Sequence, residues 1–147
     1  MKNKILSTLK FLPVSDLLPH EIVNTEAVKK MSGLLINDQY KFPAIIVDIN
    51  TNVIIDGHHR FEMIKAKGHL CAPCVYIDYR DDAILALKEN INGEILNKNE
   101  IIKKAQQGIR LPHKFTYHVV KTDNDQLFHL GKFNERLDIN LIYDLKK

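Results

Sequence analysis

The spacing of apolar and polar residues changes several times along the chain, and each change marks a structural element. Residues 11–14 read as a short strand, confined to a sheet edge by Pro13, which has no amide proton to offer a ladder. Residues 17–21 hold Pro19 and read as a loop. Asn24 is placed to cap a helix, and Ala27, Val28, Met31, Leu34 and Leu35 recur at helical spacing to about Asn37. Residues 43–48 are a β-branched apolar run, the pattern of a buried strand. Asn50-Thr51-Asn52 is turn chemistry, which predicts a hairpin to a strand over 53–56. Gly57 ends that strand. Helical spacing returns over 60–67 with Phe61 and Ile64, and stops at Gly68. Residues 73–79 predict a further strand, whereas 83–87 fit strand or helix equally. Asn97 or Asn99 caps a helix through Ile101, Ile102 and Ala105, with Gly108 just past its end. Residues 111–118 are polar and proline-led and run into Val119-Val120. Beyond Lys121, the turn signals Asn124, Asp125 and Gly131 separate apolar stretches that fit strands or a short helix.

That order, without repeats, low-complexity tracts or a linker, predicts one α+β domain over residues 1–147, a small mixed sheet flanked by helices. The length of 147 residues suits one domain, and 45% hydrophobic with 27% charged residues is a globular rather than a disordered composition. The longest apolar runs, such as Ala44-Ile45-Ile46-Val47, fall far short of the ~20 residues that span a bilayer, so no membrane partner is expected. Twenty-one basic against 18 acidic residues give +3, mild beside the dense positive field of a dedicated nucleic-acid binder. Residues 1–10 are basic but lack the apolar core of a signal peptide, so the expected setting is a reducing cytoplasm. Seven histidines are the unusual feature of the composition.

Cys71 and Cys74 form a Cys-x-x-Cys pair, but they lead into Val75-Tyr76-Ile77 rather than opening a helix. No second cysteine pair completes a zinc site. They read as two ordinary thiols at a strand entry.

Residues 53–62 carry the most chemistry. A buried strand delivers Asp56 at its end, Gly57 permits a tight turn, and a helix opens directly after. The free N–H groups of a helix start attract anions, so Gly57, His58, His59 and Arg60 form a coherent phosphate cradle. Asp56 at its rim offers a hard oxygen ligand for Mg²⁺. The plain alternative makes Asp56 an N-cap and leaves the histidines on a solvated helix start. The segment is not a Walker A loop, and the His-Glu-x-x-His pattern of zinc proteases is absent.

Asp56-Gly57-His58-His59-Arg60, between an apolar strand and a helix ending at Gly68, resembles the signature of the ParB/sulfiredoxin superfamily. The nearest variant is that of the ParB-like free serine kinases. Leu18-Pro19-His20-Glu21 resembles that branch's Pro-His-Glu loop. Pro73, Ile77-Asp78-Tyr79 and Asp81-Asp82 resemble its strand ending in Asp-Tyr. Gly108, Pro112, Lys114, Thr116 and His118 resemble its late Gly…Pro-Lys-x-Thr-x-His motif. Together these cover about residues 11–120. The resemblance implies a kinase that uses ATP or ADP, with Mg²⁺, to phosphorylate the hydroxyl of a small metabolite, with free L-serine giving O-phospho-L-serine as the leading case. Catalytic roles would fall to Glu21 as base, Asp56 and His58, with Asp56 also the metal ligand. Gly57, His58, His59, Arg60, Lys114 and Thr116 would hold phosphates, and His20, Glu21, Thr116 and His118 would contact the acceptor. From the residues alone, Glu21 reads as a solvated loop acid, and Lys114, Thr116 and His118 as one side of an exposed strand.

Two departures bear on the acceptor. The family motif has an arginine between the threonine and the histidine, and this chain has Tyr117; it also has no tryptophan. Arg80 and Arg110 are open substitutes. The competing reading is a ParB-like nucleotide-binding regulatory or DNA-binding protein, although residues 121–147 show no helix-turn-helix pattern. A sulfiredoxin-like reductase would need cysteine where His58 stands. The expected partners are a nucleotide and a small hydroxylated metabolite, with a homodimer left open.

Overall fold

Ile45, Ile46 and Val47 follow one another in a strand and all three are sealed from solvent, so both faces of their sheet are covered. The computed structural model describes residues 6–34, 41–88, 94–112, 116–133 and 136–138. Among them, nine strands and three helices succeed one another. These are β1 (Lys10–Pro13), α1 (Thr25–Leu34), β2 (Lys41–Pro43), β3 (Ile45–Asp48), β4 (Ile54–Asp56), α2 (His58–Ala66) and β5 (Cys71–Ile77). Then follow β6 (Ile84–Lys88), α3 (Lys98–Gln106), β7 (Thr116–Lys121), β8 (Leu127–His129) and β9 (Arg136–Asp138). The central sheet has the order β1-β5-β3-β4; β3 and β5 run parallel and the other pairs antiparallel. An antiparallel sheet β6-β7-β8 and the pair β2-β9 complete a mixed α+β domain.

Side-chain alternation along β3 divides the core. Ile45 and Val47 pack with Leu17, Ile54, Phe61, Met63 and Ile64, and Val28 of α1 lies against this cluster. Ala44 and Ile46 pack on the other face with Val53, Ile55, Val75, Ile84, Ala105 of α3 and Val120 of β7. The site segments are therefore fastened to a sheet buried on both sides.

The predicted caps hold. Asn24 Oδ1 accepts from the N–H groups of Glu26 and Ala27, and Asn97 Oδ1 from that of Glu100. Gly68 and Gly108 take φ of +81° and +76° past their helices. The described part of α1 ends at Leu34, and the predicted extension to Asn37 lies outside the described residues. Residues 83–87 resolve as a strand, β6.

Three boundaries differ. The run over 43–48 is two strands, because Pro43 pairs with Arg136 in β2-β9 while β3 starts at Ile45; the Pro43 carbonyl at the break accepts from Arg60 Nη1. α2 begins at His58 rather than Arg60, because Gly57 at φ +103° completes the reversal within one residue. β5 starts at Cys71 and accommodates Pro73 because pairing with β3 begins only at Cys74. Cys71 and Cys74, an odd number of residues apart, point to opposite faces of β5, and both are free thiols. Burial pushes the Cys74 thiol up to about 12, which keeps it protonated and inert.

Candidate active site

The segment after β1 is loop in sequence but is held like a strand. Leu18 N–H donates to Asn52 O (3.0 Å) and Ile54 N–H to Leu18 O (2.8 Å), which lays residues 18–20 along the free edge of β4. On the far side Leu111 N–H donates to His20 O (2.7 Å) and Ile22 N–H to Leu111 O (2.8 Å). Glu21 is thus clamped between two stretches of backbone and is buried, not a solvated loop acid. Its Oε2 accepts from Thr116 Oγ1 (3.1 Å) and, more distantly, from Thr116 N–H (3.4 Å).

Three histidines cluster beside Thr116, the partner of this carboxylate. His20 and His58 meet edge to face with ring centroids 4.5 Å apart, and His118 lies 6.1 Å from His20. His20 Nδ1 donates to Ile54 O (2.7 Å), so its Nε2 is the lone-pair nitrogen, 3.4 Å from Thr116 Oγ1. His58 Nε2 accepts from His20 N–H (3.0 Å), which leaves the ring proton on Nδ1. His118 Nε2 hydrogen-bonds Tyr79 Oη (2.7 Å), a phenol that burial, assisted by the Asp48 charge, holds protonated. Burial lowers all three imidazoles, His20 to about 4, and their mutual repulsion adds to the effect for His58 and His118. At neutral pH all three are uncharged. His58 is therefore a hydrogen-bonding group, not the cation that a side-chain phosphate grip requires.

The turn beside this cluster brings the predicted phosphate residues together by a different arrangement. Asp56 Oδ2 pairs with Arg60 Nη2 at 3.0 Å, and Arg60 reaches inward to Pro43 O through Nη1 (3.1 Å). His59 Nε2 accepts from Asn24 N–H (3.1 Å), fastening the start of α1 to the start of α2. Both histidine Nε2 atoms are engaged and the Arg60 guanidinium is drawn inward, so the turn offers main-chain donors. The first intrahelical bond of α2 runs from Phe61 N–H to Gly57 O, and no side chain caps the helix. The N–H groups of His58, His59 and Arg60 therefore lack intrahelical partners, at the positive end of the helix dipole.

Thr116 and His118 share one side of β7 as predicted, and that side is buried. Lys114 lies outside the described residues. Arg80 is exposed and paired with Asp78 next to it. Arg110 instead pairs with Glu62 of α2 (3.0 Å), and its charge acts on His58. Sequence reasoning missed Tyr79 as the partner of His118, although it stands in the quoted Asp-Tyr pair. It also missed Gly131: a Cβ there would stand 3.7 Å from Asp56 Oδ2, so the segment after β8 walls the acidic side of the turn. Nothing local in the sequence around Gly131 points to Asp56.

Among the described residues, no group of three or more His, Cys, Asp or Glu side chains is placed to hold a metal ion. Asp56, partly exposed at the turn, could offer one carboxylate oxygen to a Mg²⁺ and would need other ligands to complete the site. No described helix is long and apolar enough to cross a membrane.

The chain is similar in sequence to a ParB-like protein and an L-serine kinase, and in fold to a free serine kinase. No protein-family model matches the sequence. A ParB-like protein of Sulfolobus acidocaldarius is 36% identical over 76 residues, 52% of this chain and 38% of that protein. An ATP-dependent L-serine kinase of Staphylothermus marinus is 27% identical over 152 aligned residues, 89% of this chain and 59% of that protein. The chain thus spans less than two thirds of the length of either relative. A solved free serine kinase in complex with AMP superposes with a TM-score of 0.67 over 97% of this chain and 98% of its own, at 14% identity. The fold is therefore the one that ParB-like free serine kinases share, as the motifs imply.

Proposed function

We propose that this protein is a nucleotide-dependent kinase that transfers a phosphoryl group from ATP or ADP to the hydroxyl of a small metabolite, with free L-serine the leading acceptor. The observation that carries the reading is the placement of Glu21. Its buried carboxylate is fixed by Thr116, and the neighbouring His20 N–H bonds to His58, the first residue of the uncapped helix α2. A base and an anion-binding helix start are thereby joined through one hydrogen bond. The sequence likeness to an ATP-dependent L-serine kinase and the fold shared with a free serine kinase that binds AMP support the same reading.

Phosphoryl transfer calls for positioning and charge stabilisation more than for covalent help. In this reading the N–H groups of His58, His59 and Arg60 receive phosphate oxygens at the α2 dipole. Glu21 accepts the proton of the acceptor hydroxyl as its oxygen bonds to phosphorus and the bond to the shortened nucleotide breaks. Thr116 donates to Glu21 Oε2 and keeps the carboxylate aimed. His20 and His118 line the acceptor side as neutral groups, and Lys114 is assigned to the phosphates. Asp56 contributes one oxygen to Mg²⁺, which when bound neutralises phosphate charge.

A coupled assay with ATP and with ADP across hydroxyl-bearing amino acids tests the proposal, with O-phospho-L-serine the expected product. Glu21→Ala is expected to lower kcat by about 10²–10⁴-fold, the usual contribution of a general base, and to leave nucleotide affinity in place. Unchanged turnover in that variant overturns the mechanism. Nucleotide binding without transfer to any hydroxyl favours instead the regulatory ParB-like reading, which the Sulfolobus likeness supports.

A further inference from the structure

Glu62 lies one helical turn after His58 on α2, so the two share a face of the helix. Arg110 immediately precedes Leu111, the residue whose backbone clamps Glu21 through His20 and Ile22. Across 48 positions of sequence, Arg110 Nη1 donates to Glu62 Oε2 at 3.0 Å. The pair therefore ties the stretch that clamps the proposed base to the helix that opens from the proposed phosphate turn. With side chains 35% and 21% exposed, neither member is sealed away and a solute can reach both. Among the described residues, this is the one hydrogen bond of the Arg110 guanidinium, so further donors of its fork remain to receive a carboxylate.

A plain hydroxyl acceptor gives such a pair nothing to recognise. An α-amino acid carries a carboxylate and an ammonium about one bond apart from a common carbon, and an adjacent guanidinium and carboxylate complement that zwitterion. Arg80 is a poorer candidate, being exposed and chelating Asp78 through two of its nitrogens. We infer that Arg110 and Glu62 form the acceptor-recognition pair, Arg110 taking the α-carboxylate and Glu62 the α-ammonium of a hydroxyl-bearing amino acid. The inference rests on the kinase reading.

The test uses the full chain, with initial rates and calorimetric binding measured side by side. Arg110→Ala is expected to raise the KM for L-serine about tenfold or more, the usual worth of a hydrogen bond to a charged group, with nucleotide KM unchanged. It is expected to leave the weaker turnover of ethanolamine, which lacks a carboxylate, where it was. Glu62→Gln is expected to raise the KM for L-serine but not for 3-hydroxypropionate, which lacks the ammonium. The exchanged double variant Arg110→Glu with Glu62→Arg keeps an ion pair and separates recognition from structure. If the pair recognises the zwitterion, Tm is restored while the KM for serine stays high. Recovery of serine KM in the exchanged variant, or a normal KM in Arg110→Ala, overturns the inference. If the wild-type chain transfers phosphate to no hydroxyl, the kinase reading fails. Titration of L-serine into the nucleotide-loaded wild type and Arg110→Ala then judges the pair independently: tighter binding by the wild type upholds it, and equal binding or none overturns it.

Discussion

At the scale of residues, the site is governed by histidines that stay neutral. His20, His58 and His118 are buried together and each uses a ring nitrogen in a hydrogen bond: the bonds to Ile54 O and from His20 N–H fix the protons of the first two, and His118 bonds Tyr79 Oη. Neutral rings can crowd together where imidazolium ions would repel. The same arrangement makes the fold acid-sensitive. An unfolded histidine binds a proton below about 6.5, whereas folded His20 does so only near 4. Between those values the unfolded chain holds more protons, so stability is complete above pH 6.5 and falls as pH drops. For His20 alone the lowering corresponds to roughly 3 kcal/mol by pH 4, and His58 and His118 act in the same direction. Urea denaturation at pH 7.5 and pH 5.5 is expected to show a clear loss at the lower value, before most carboxylates titrate. A flat profile between those values would mean that the cluster opens to water. The residues of this cluster were legible in sequence as motif members, but their bonding was not. His58 and His59 take N–H groups 38 and 35 positions away, and no local pattern records which nitrogen points where.

At the scale of elements, the strand-turn-helix unit β4–Gly57–α2 was readable because each part has a local cause. The apolar run gives the strand, Gly57 alone adopts φ +103° without strain, and the 3.6-residue period resumes at once. Strand β2 was unreadable, because its partner β9 lies more than 90 residues on and only their pairing separates Pro43 from β3. The burial of Glu21 was likewise hidden, since it depends on Leu111 arriving from another element. Gly57 is where element geometry and site chemistry meet. A Cβ there would be forced into a left-handed backbone and would approach Arg60 Nη2 to 2.8 Å. Moving the guanidinium relieves the contact but breaks its bonds to Asp56 and Pro43 O. Gly57→Ala is expected to cost about 1–2 kcal/mol of stability and to weaken nucleotide binding as the α2 start rotates. Chemical denaturation and calorimetry check the two effects. Wild-type stability in this variant would show that the turn tolerates a side chain and that its tightness has no bearing on the site.

At the scale of the whole molecule, the distribution of charge decides what size of anion the protein can favour. The chain carries only +3, and Arg60, Arg80 and Arg110 each pair with a carboxylate rather than adding to a common field. A protein that binds a polyanion gains affinity from many unpaired cations and loses it steeply with salt. In the proposed reading the phosphates are met by the main-chain N–H groups of one helix start together with Lys114, which suits a short phosphate chain and is little screened by salt at close range. A ligand that binds only the folded state at a hundredfold excess over its Kd stabilises by about 2.7 kcal/mol. For a chain of 147 residues that is a rise in Tm of roughly 5–10 °C. Thermal unfolding with ATP, ADP or AMP and Mg²⁺ is expected to show such a rise at 150 mM salt, with adenosine giving much less and duplex DNA none. Gly57→Ala should lose most of the rise. A shift equal for adenosine and ATP would place recognition on the nucleoside and remove the phosphate role of the α2 start. A shift with duplex DNA that vanishes between 50 and 200 mM salt would instead mark a polyanion surface, and would require cationic groups beyond the paired arginines.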